Sequence, residues 1–122
     1  MTLRQKQSKF VRLVAKLIQY ASEQGYEMTF GETYRTPEQA AWNAAQVPPV
    51  GSANSLHTKR LAVDLNLFKD TDGDGDLDYL EKTEFHRPLG EWWERLDPDC
   101  RWGGRFKRPD GNHYSLAHEG IA

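Results

Sequence analysis

Apolar residues return at helical spacing early in the chain: Phe10, Leu13, Val14, Leu17, Ile18 and Ala21, with Lys9, Arg12, Lys16 and Gln19 between them. This predicts an amphipathic helix with one core-facing stripe, capped at Thr2 or Ser8 and ended by Gly25. From Tyr26 to Tyr34 aromatic or apolar residues alternate with polar ones, which predicts a strand that ends at Arg35. Thr36-Pro37-Glu38-Gln39 is a helix start, with Thr as N-cap, Pro in the first helical position and Gln three residues after the cap. Ala40, Ala41, Ala44 and Ala45 carry that helix past Trp42, and the Pro- and Gly-containing stretch from Val47 to Asn54 is a loop.

Alternation returns from Ala62 to Leu67 and predicts a short strand with one buried face. Leu89, Trp92, Trp93 and Leu96 predict a helix from Pro88 that ends near Asp97, ahead of Pro98, with one tryptophan in the core and the other exposed. Gly103 and Gly104 permit a bulge or a close backbone approach. His113 starts a last short strand, with Asp110 on the turn before it. The tail from Ala117 has little pattern, and His86 and His118 read as surface residues.

Within the alternating stretch Asp64 stands out, because a carboxylate in a half-buried strand is normally paired or holds a metal. His57 lies upstream on a loop marked by Ser55 and Thr58. A loop histidine and an aspartate on the following strand can meet at one point, and their nitrogen and oxygen donors suit Zn²⁺. A catalytic zinc takes three protein ligands, and the third candidate is His113 in Asp110-Gly111-Asn112-His113. The pair alone also fits a surface histidine and a hydrogen-bonded aspartate.

A second cation site is written in the sequence from Asp70 to Glu81. It fills the constrained positions of the 12-residue EF-hand loop: Asp70, Asp72 and Asp74 at one, three and five, Gly75 at six, Asp76 offering its carbonyl, Asp78 at nine and Glu81 as the bidentate ligand. Hard oxygen donors in this number suit Ca²⁺. A strand precedes the loop where an EF-hand has a helix, and there is one loop rather than a pair. The expectation is a strand-loop-helix calcium clip inserted in another fold.

Composition narrows the class. The 122 residues suit one domain with one core, and no apolar run approaches a membrane span. The polar N-terminus does not read as a signal peptide. The single Cys100 excludes an internal disulfide, and Asp97 and Asp99 beside it disfavour a reactive thiolate, so it reads as filler. The net charge is −2, but setting aside the six acids of the 70–81 loop leaves 12 acids against 16 bases. With a cation in that loop the remaining body is mildly basic, which favours an anionic partner.

Four motifs, taken in order, add to this reading: Thr33-Tyr34-Arg35-Thr36-Pro37-Glu38-Gln39, Ser55-x-His57 followed by Asp64, Trp102-Gly103-Gly104, and Asp110-x-x-His113. Together they resemble the zinc D-alanyl-D-alanine carboxypeptidase family, and within it the phage endolysins that are L-alanyl-D-glutamate peptidases. The resemblance runs from about Tyr26 to Tyr114. It implies an α+β fold, helices packed on a small antiparallel sheet, with the EF-hand-like loop inserted. It implies zinc on His57, Asp64 and His113, Asp110 as catalytic acid/base, and Arg35 as the substrate-binding, charge-stabilising residue. Two positions depart from the family pattern: Arg60 stands where glycine is usual, and Arg105 where an acid is usual.

The expected activity is hydrolysis of peptide bonds in peptidoglycan stem peptides by an L-alanyl-D-glutamate endopeptidase, possessing calcium as a second ion and open to regulation by it. A D,D-carboxypeptidase is the alternative within the class, and a non-catalytic calcium-binding interaction module the alternative outside it. The expected enzyme is a monomer without nucleic-acid or stable membrane partners. It is made in the host cytoplasm and acts on the bacterial wall.

Overall fold

The computed structural model describes residues 1–122. Its elements are α1 (Leu3–Glu23), β1 (Glu27–Phe30), α2 (Pro37–Ala44), β2 (Ala62–Lys69), β3 (Asp78–Tyr79), α3 (Thr83–Leu96), β4 (Cys100–Trp102) and β5 (His113–Leu116). Short 3₁₀ turns occupy Leu56–Lys59 and Gly103–Arg105. The strands form an antiparallel sheet in the order β1-β2-β5-β4, with β3 paired to the far end of β2. The fold is the expected α+β arrangement of helices on a small antiparallel sheet.

Helix α1 forms as its pattern predicts. Thr2 accepts from Gln5 N–H and Gln5 reaches back to Thr2 N–H, a reciprocal capping box. Gly25, at φ +87°, takes the left-handed conformation that ends the helix. Phe10, Leu13, Val14, Leu17 and Ala21 are buried. Strand β2 is the centre of the sheet: Val63, Leu65 and Leu67 are buried in the same core, while Asp64 and Asn66 alternate onto the other face. Trp93 joins the layers, with its ring edge-on to Phe10 at 6.0 Å and to Tyr114 at 6.2 Å.

Several expectations need correction. The strand expected over Tyr26–Tyr34 is assigned only over Glu27–Phe30. Backbone bonds to Asp64 continue through Gly31 and Glu32, and then the chain turns away, so Arg35 lies in the loop before α2 and not at a strand end. Helix α3 begins at Thr83, not at Pro88; Pro88 is inside it, where its missing N–H forfeits one helical bond that the buried Leu89, Gly90 and Trp93 offset by packing. Trp93 is fully buried, but Trp92 is only partly exposed because it stacks on Tyr20 at 4.3 Å. His86 is not a surface residue: it is 1% exposed, and its Nδ1 lies 3.0 Å from the Tyr114 hydroxyl. The tail is not featureless either, since His118 and Ile121 form an isolated bridge.

Candidate active site

His57, Asp64 and His113 converge. Each offers one ligand atom, and these atoms lie within 4.8 Å of one another. His57 Nε2 is 3.3 Å from Asp64 Oδ1, and His113 Nδ1 is 3.6 Å from the same oxygen.

Different local devices place the three residues. His57 sits on the Leu56–Lys59 turn, whose start is fixed by Ser55 Oγ accepting from His57 N–H and by Thr58 Oγ1 donating to Ser55 O. The turn ends with Leu61 N–H donating to Leu56 O and Arg60 N–H to His57 O, a Schellman closure with Arg60 at φ +56°. Glycine would be the easy residue there. Arg60 adopts the conformation anyway, with its guanidinium 4.0 Å from the centre of the Tyr34 ring. Asp64 and His113 are directly paired residues of β2 and β5, and so share a face of the sheet.

The Trp102-Gly103-Gly104 motif supports the loop that carries Asp110. Trp102 Nε1 donates to Gly111 O at 2.7 Å, and Asp110 N–H donates to Gly103 O at 2.9 Å. A side chain on Gly103 would place its Cβ 2.2 Å from Asp110 O and 2.7 Å from His113 Cβ, so only glycine permits this approach. Asp110 Oδ2 lies 3.9 Å from His113 Nδ1, and the carboxylate stays half-exposed. Arg105 explains its own departure from pattern: it pairs with Glu94 and lies 3.6 Å from Glu91 of α3.

The electrostatics separate the two aspartates. Burial would raise the Asp64 carboxyl, but the facing His113 and His57 more than reverse this and hold it at about 2. Asp110 moves the other way: partial desolvation and the nearby Asp64 charge raise it against His113, His57 and Arg35. The same cluster therefore pushes the two carboxyls in opposite directions, Asp64 down and Asp110 up.

Buried atoms test whether a metal fits. Asp64 Oδ1, His57 Nδ1 and His113 Nε2 are buried without hydrogen-bond partners. Such atoms are costly when orphaned, and a cation between the two imidazoles would satisfy Asp64 Oδ1. Two nitrogens and one oxygen are a donor set that zinc takes.

A cleft of about 460 Å³ opens onto the group, lined by Arg35, Ser55, His57, Phe106, Asp110 and His113 among others. Arg35 reaches it from the loop before α2, its guanidinium paired with Glu32 and its backbone N–H donating to His57 O at 3.2 Å. Glu32 is the site residue that pattern reading missed. Its Oε1 is 3.8 Å from His57 Nδ1, and its carbonyl accepts Asp64 N–H at 2.9 Å. The only sequence signal was the i,i+3 spacing of Glu32 and Arg35. Ile121 and Ala122 also line the cleft. Cys100 is buried on β4, where burial, with Asp97 next, pushes the thiol up to about 12.

The 70–81 loop is only partly assembled as a cation site. Carboxylate oxygens of Asp70, Asp72 and Asp78 lie within 4.8 Å of one another, but Asp74 and Glu81 are not part of that group. Asp74 accepts Asp76 N–H, Asp70 accepts from Gly73 and Gly75, and Asp78 accepts from Thr71. Gly73 and Gly75 take positive φ. The expected entry from a strand is seen in β2, but the loop does not run straight into a helix: its own residues Asp78 and Tyr79 form β3, paired back to the end of β2, before α3 begins at Thr83.

The profile of a family described as D-alanyl-D-alanine carboxypeptidase matches residues 50–116. The chain belongs to the D-alanyl-D-alanine carboxypeptidase family. The matched segment includes His57, Asp64, the acidic loop, Asp110 and His113, and excludes Glu32 and Arg35. Among solved structures, the L-Ala D-Glu endopeptidase ChiX of Serratia marcescens has the same fold, with a TM-score of 0.67 at 17% identity, covering 90% of this chain and 79% of that one. No curated protein matches the chain. Membership makes it a peptidase by family, and no helix is long and apolar enough to cross a membrane.

Proposed function

We propose that this chain is a zinc peptidase that hydrolyses peptide bonds in peptidoglycan stem peptides, as an L-alanyl-D-glutamate endopeptidase. The observation that carries the reading is the convergence of His57, Asp64 and His113 beside Asp110, in a cleft that Arg35 also lines. A non-catalytic calcium module needs none of these. His57, Asp64 and His113 hold the metal, which when bound supplies Lewis acidity toward a peptide carbonyl and a water of near-neutral pKa. Asp110, three residues before a ligand and half-exposed to the cleft, takes the proton of the attacking water and passes it to the leaving amine. Arg35 offers a guanidinium to a substrate carboxylate or to the developing oxyanion. Stem peptides carry such carboxylates, and ChiX, which shares the fold, is named for L-Ala D-Glu cleavage.

The family description favours a second reading, removal of a terminal D-alanine. Mass spectrometry of muropeptides after digestion of purified peptidoglycan separates the two. Fragments split between L-alanine and D-glutamate support the endopeptidase, loss of a terminal D-alanine supports the carboxypeptidase, and unchanged muropeptides reject both.

Calcium on the 70–81 loop belongs to the same proposal. Asp70, Asp72 and Asp78 form its gathered part, and Asp74, Asp76 (through its carbonyl) and Glu81 complete the ligand set as the loop closes. Action as a phage endolysin at the bacterial wall follows from the resemblance in the sequence and is tested by lysis of bacterial cells with permeabilised outer layers.

A further inference from the structure

His57 aims Nε2 at the shared point, 3.3 Å from Asp64 Oδ1. An imidazole that binds a metal through one nitrogen carries its proton on the other. That other nitrogen, Nδ1, is buried and has no hydrogen-bond partner. Glu32 Oε1 faces it at 3.8 Å. A shift of about 1 Å would bring the two within hydrogen-bond length. Glu32 is tied to this place from two sides, since its backbone carbonyl accepts Asp64 N–H and the same Oε1 accepts from Arg35. One residue therefore touches a proposed ligand's strand, a second ligand's free nitrogen and the cleft arginine.

We infer that Glu32 is a positioning residue of the metal centre: its carboxylate accepts the Nδ1 proton of His57 and so fixes the tautomer that leaves Nε2 for the metal, while it holds Arg35 toward the cleft. The inference rests on the reading of His57, Asp64 and His113 as zinc ligands. A carboxylate behind a metal-bound histidine orients the ring and raises its basicity, and loss of such a partner typically weakens metal binding by about 10–100-fold. If Glu32 served only as the ion-pair partner of Arg35, its removal would alter substrate use and leave the metal untouched.

The test reads zinc and the His57 proton without substrate. Zinc affinity is measured by competition with a chromogenic chelator, and the His57 Nδ1–H by ¹⁵N–¹H NMR of the zinc-loaded protein. Glu32→Ala is expected to weaken zinc by about 10–100-fold and to lose the protected Nδ1–H signal. Glu32→Gln, which keeps an acceptor oxygen, is expected to retain the signal and to lose less affinity than the alanine variant. Wild-type affinity and an unchanged Nδ1–H in Glu32→Ala overturn the inference, as does a glutamine variant no better than the alanine one. Should Glu32→Ala not fold, Glu32→Asp withdraws the carboxylate by one methylene: weaker zinc supports the inference, and unchanged zinc with an unchanged Nδ1–H overturns it. A wild-type protein that takes up no zinc removes the metal reading itself, a result distinct from any difference among the variants.

Discussion

Asp64 and His113 face each other across the β2–β5 ladder, with Asp64 Oδ1 3.6 Å from His113 Nδ1. Residues 49 positions apart in sequence become a pair because antiparallel register sets them side by side. Two of the three candidate donors are thus built into the central strands of the sheet, while His57 comes from the turn that precedes β2. His113→Ala and Asp64→Asn should each fold and each lose tight zinc binding, since each removes or neutralises one of three donors. Elemental analysis of protein purified without chelator checks this: about one zinc per wild-type chain, and markedly less in either variant. Equal zinc in all three proteins would sink the assignment.

In the proposed mechanism Asp110 serves the chemistry and not metal binding. Its side chain is half-exposed and 3.9 Å from His113 Nδ1. Asp110→Ala should keep zinc and fold while turnover falls by about 10²–10⁴-fold, the usual share of a general acid–base group. Steady-state kinetics on a stem peptide, with zinc content measured on the same sample, is the check. Unchanged kcat would remove Asp110 from the mechanism.

The acidic loop is expected to tighten on calcium. The carboxylates of Asp70, Asp72 and Asp78 are gathered with only backbone and Thr71 donors to offset their charge. Calcium should raise the melting temperature of the wild type and not that of Asp70→Ala/Asp72→Ala, through binding to the folded form alone. Activity with zinc held constant and calcium varied then distinguishes a switch from a clip. A gain in activity at a temperature where both forms are folded supports regulation, and a gain in melting temperature alone supports a structural ion.

His86 gives the fold a pH dependence away from the cleft. Burial lowers its pKa to about 4, from 6.5, with only a contact to the Leu80 backbone opposing. A histidine kept neutral by the fold contributes stability that is fully present above its unfolded pKa. That contribution is lost as pH falls from 6.5 toward 4, because the unfolded chain takes the proton first. The loss should be about 3 kcal/mol at 1.36 kcal/mol per unit. Urea unfolding at pH 7 and at pH 4.5 should show the drop in the wild type and a smaller one in His86→Gln. Asp64 acts in the same direction at lower pH, between its ordinary 3.8 and about 2.

Arg60 tests how the chain tolerates a side chain at a glycine position. The left-handed conformation costs a non-glycine residue roughly 1–2 kcal/mol, and stacking on Tyr34 returns about 0.5–1 kcal/mol. Arg60→Gly should therefore be neutral to stabilising, by at most about 1.5 kcal/mol, while Arg60→Val, which keeps the strain and loses the stack, should destabilise the protein. Chemical denaturation of the two variants measures both. A strongly destabilised Arg60→Gly would show that the Tyr34 contact outweighs the strain.

By itself the sequence determined the elements that rest on local physics, along with the donor types. The α1 stripe, the Thr36-Pro37 start of α2 and the alternation of β2 follow from periodicity and capping, which neighbouring residues decide. The order of the His57, Asp64, Asp110 and His113 motifs was legible too, because each carries its residue types within a few positions. Tertiary structure alone decided what depends on partners distant in sequence. It ended β1 at Phe30, buried His86 against Tyr114, began α3 five residues before the proline that marked its expected start, and brought Glu32 between Arg35 and His57. Glu32 was invisible for a physical reason: a glutamate in an alternating stretch has the pattern of any solvated residue. Its place beside His57 comes from the pairing of its backbone with Asp64, a contact that spans 32 positions of the chain.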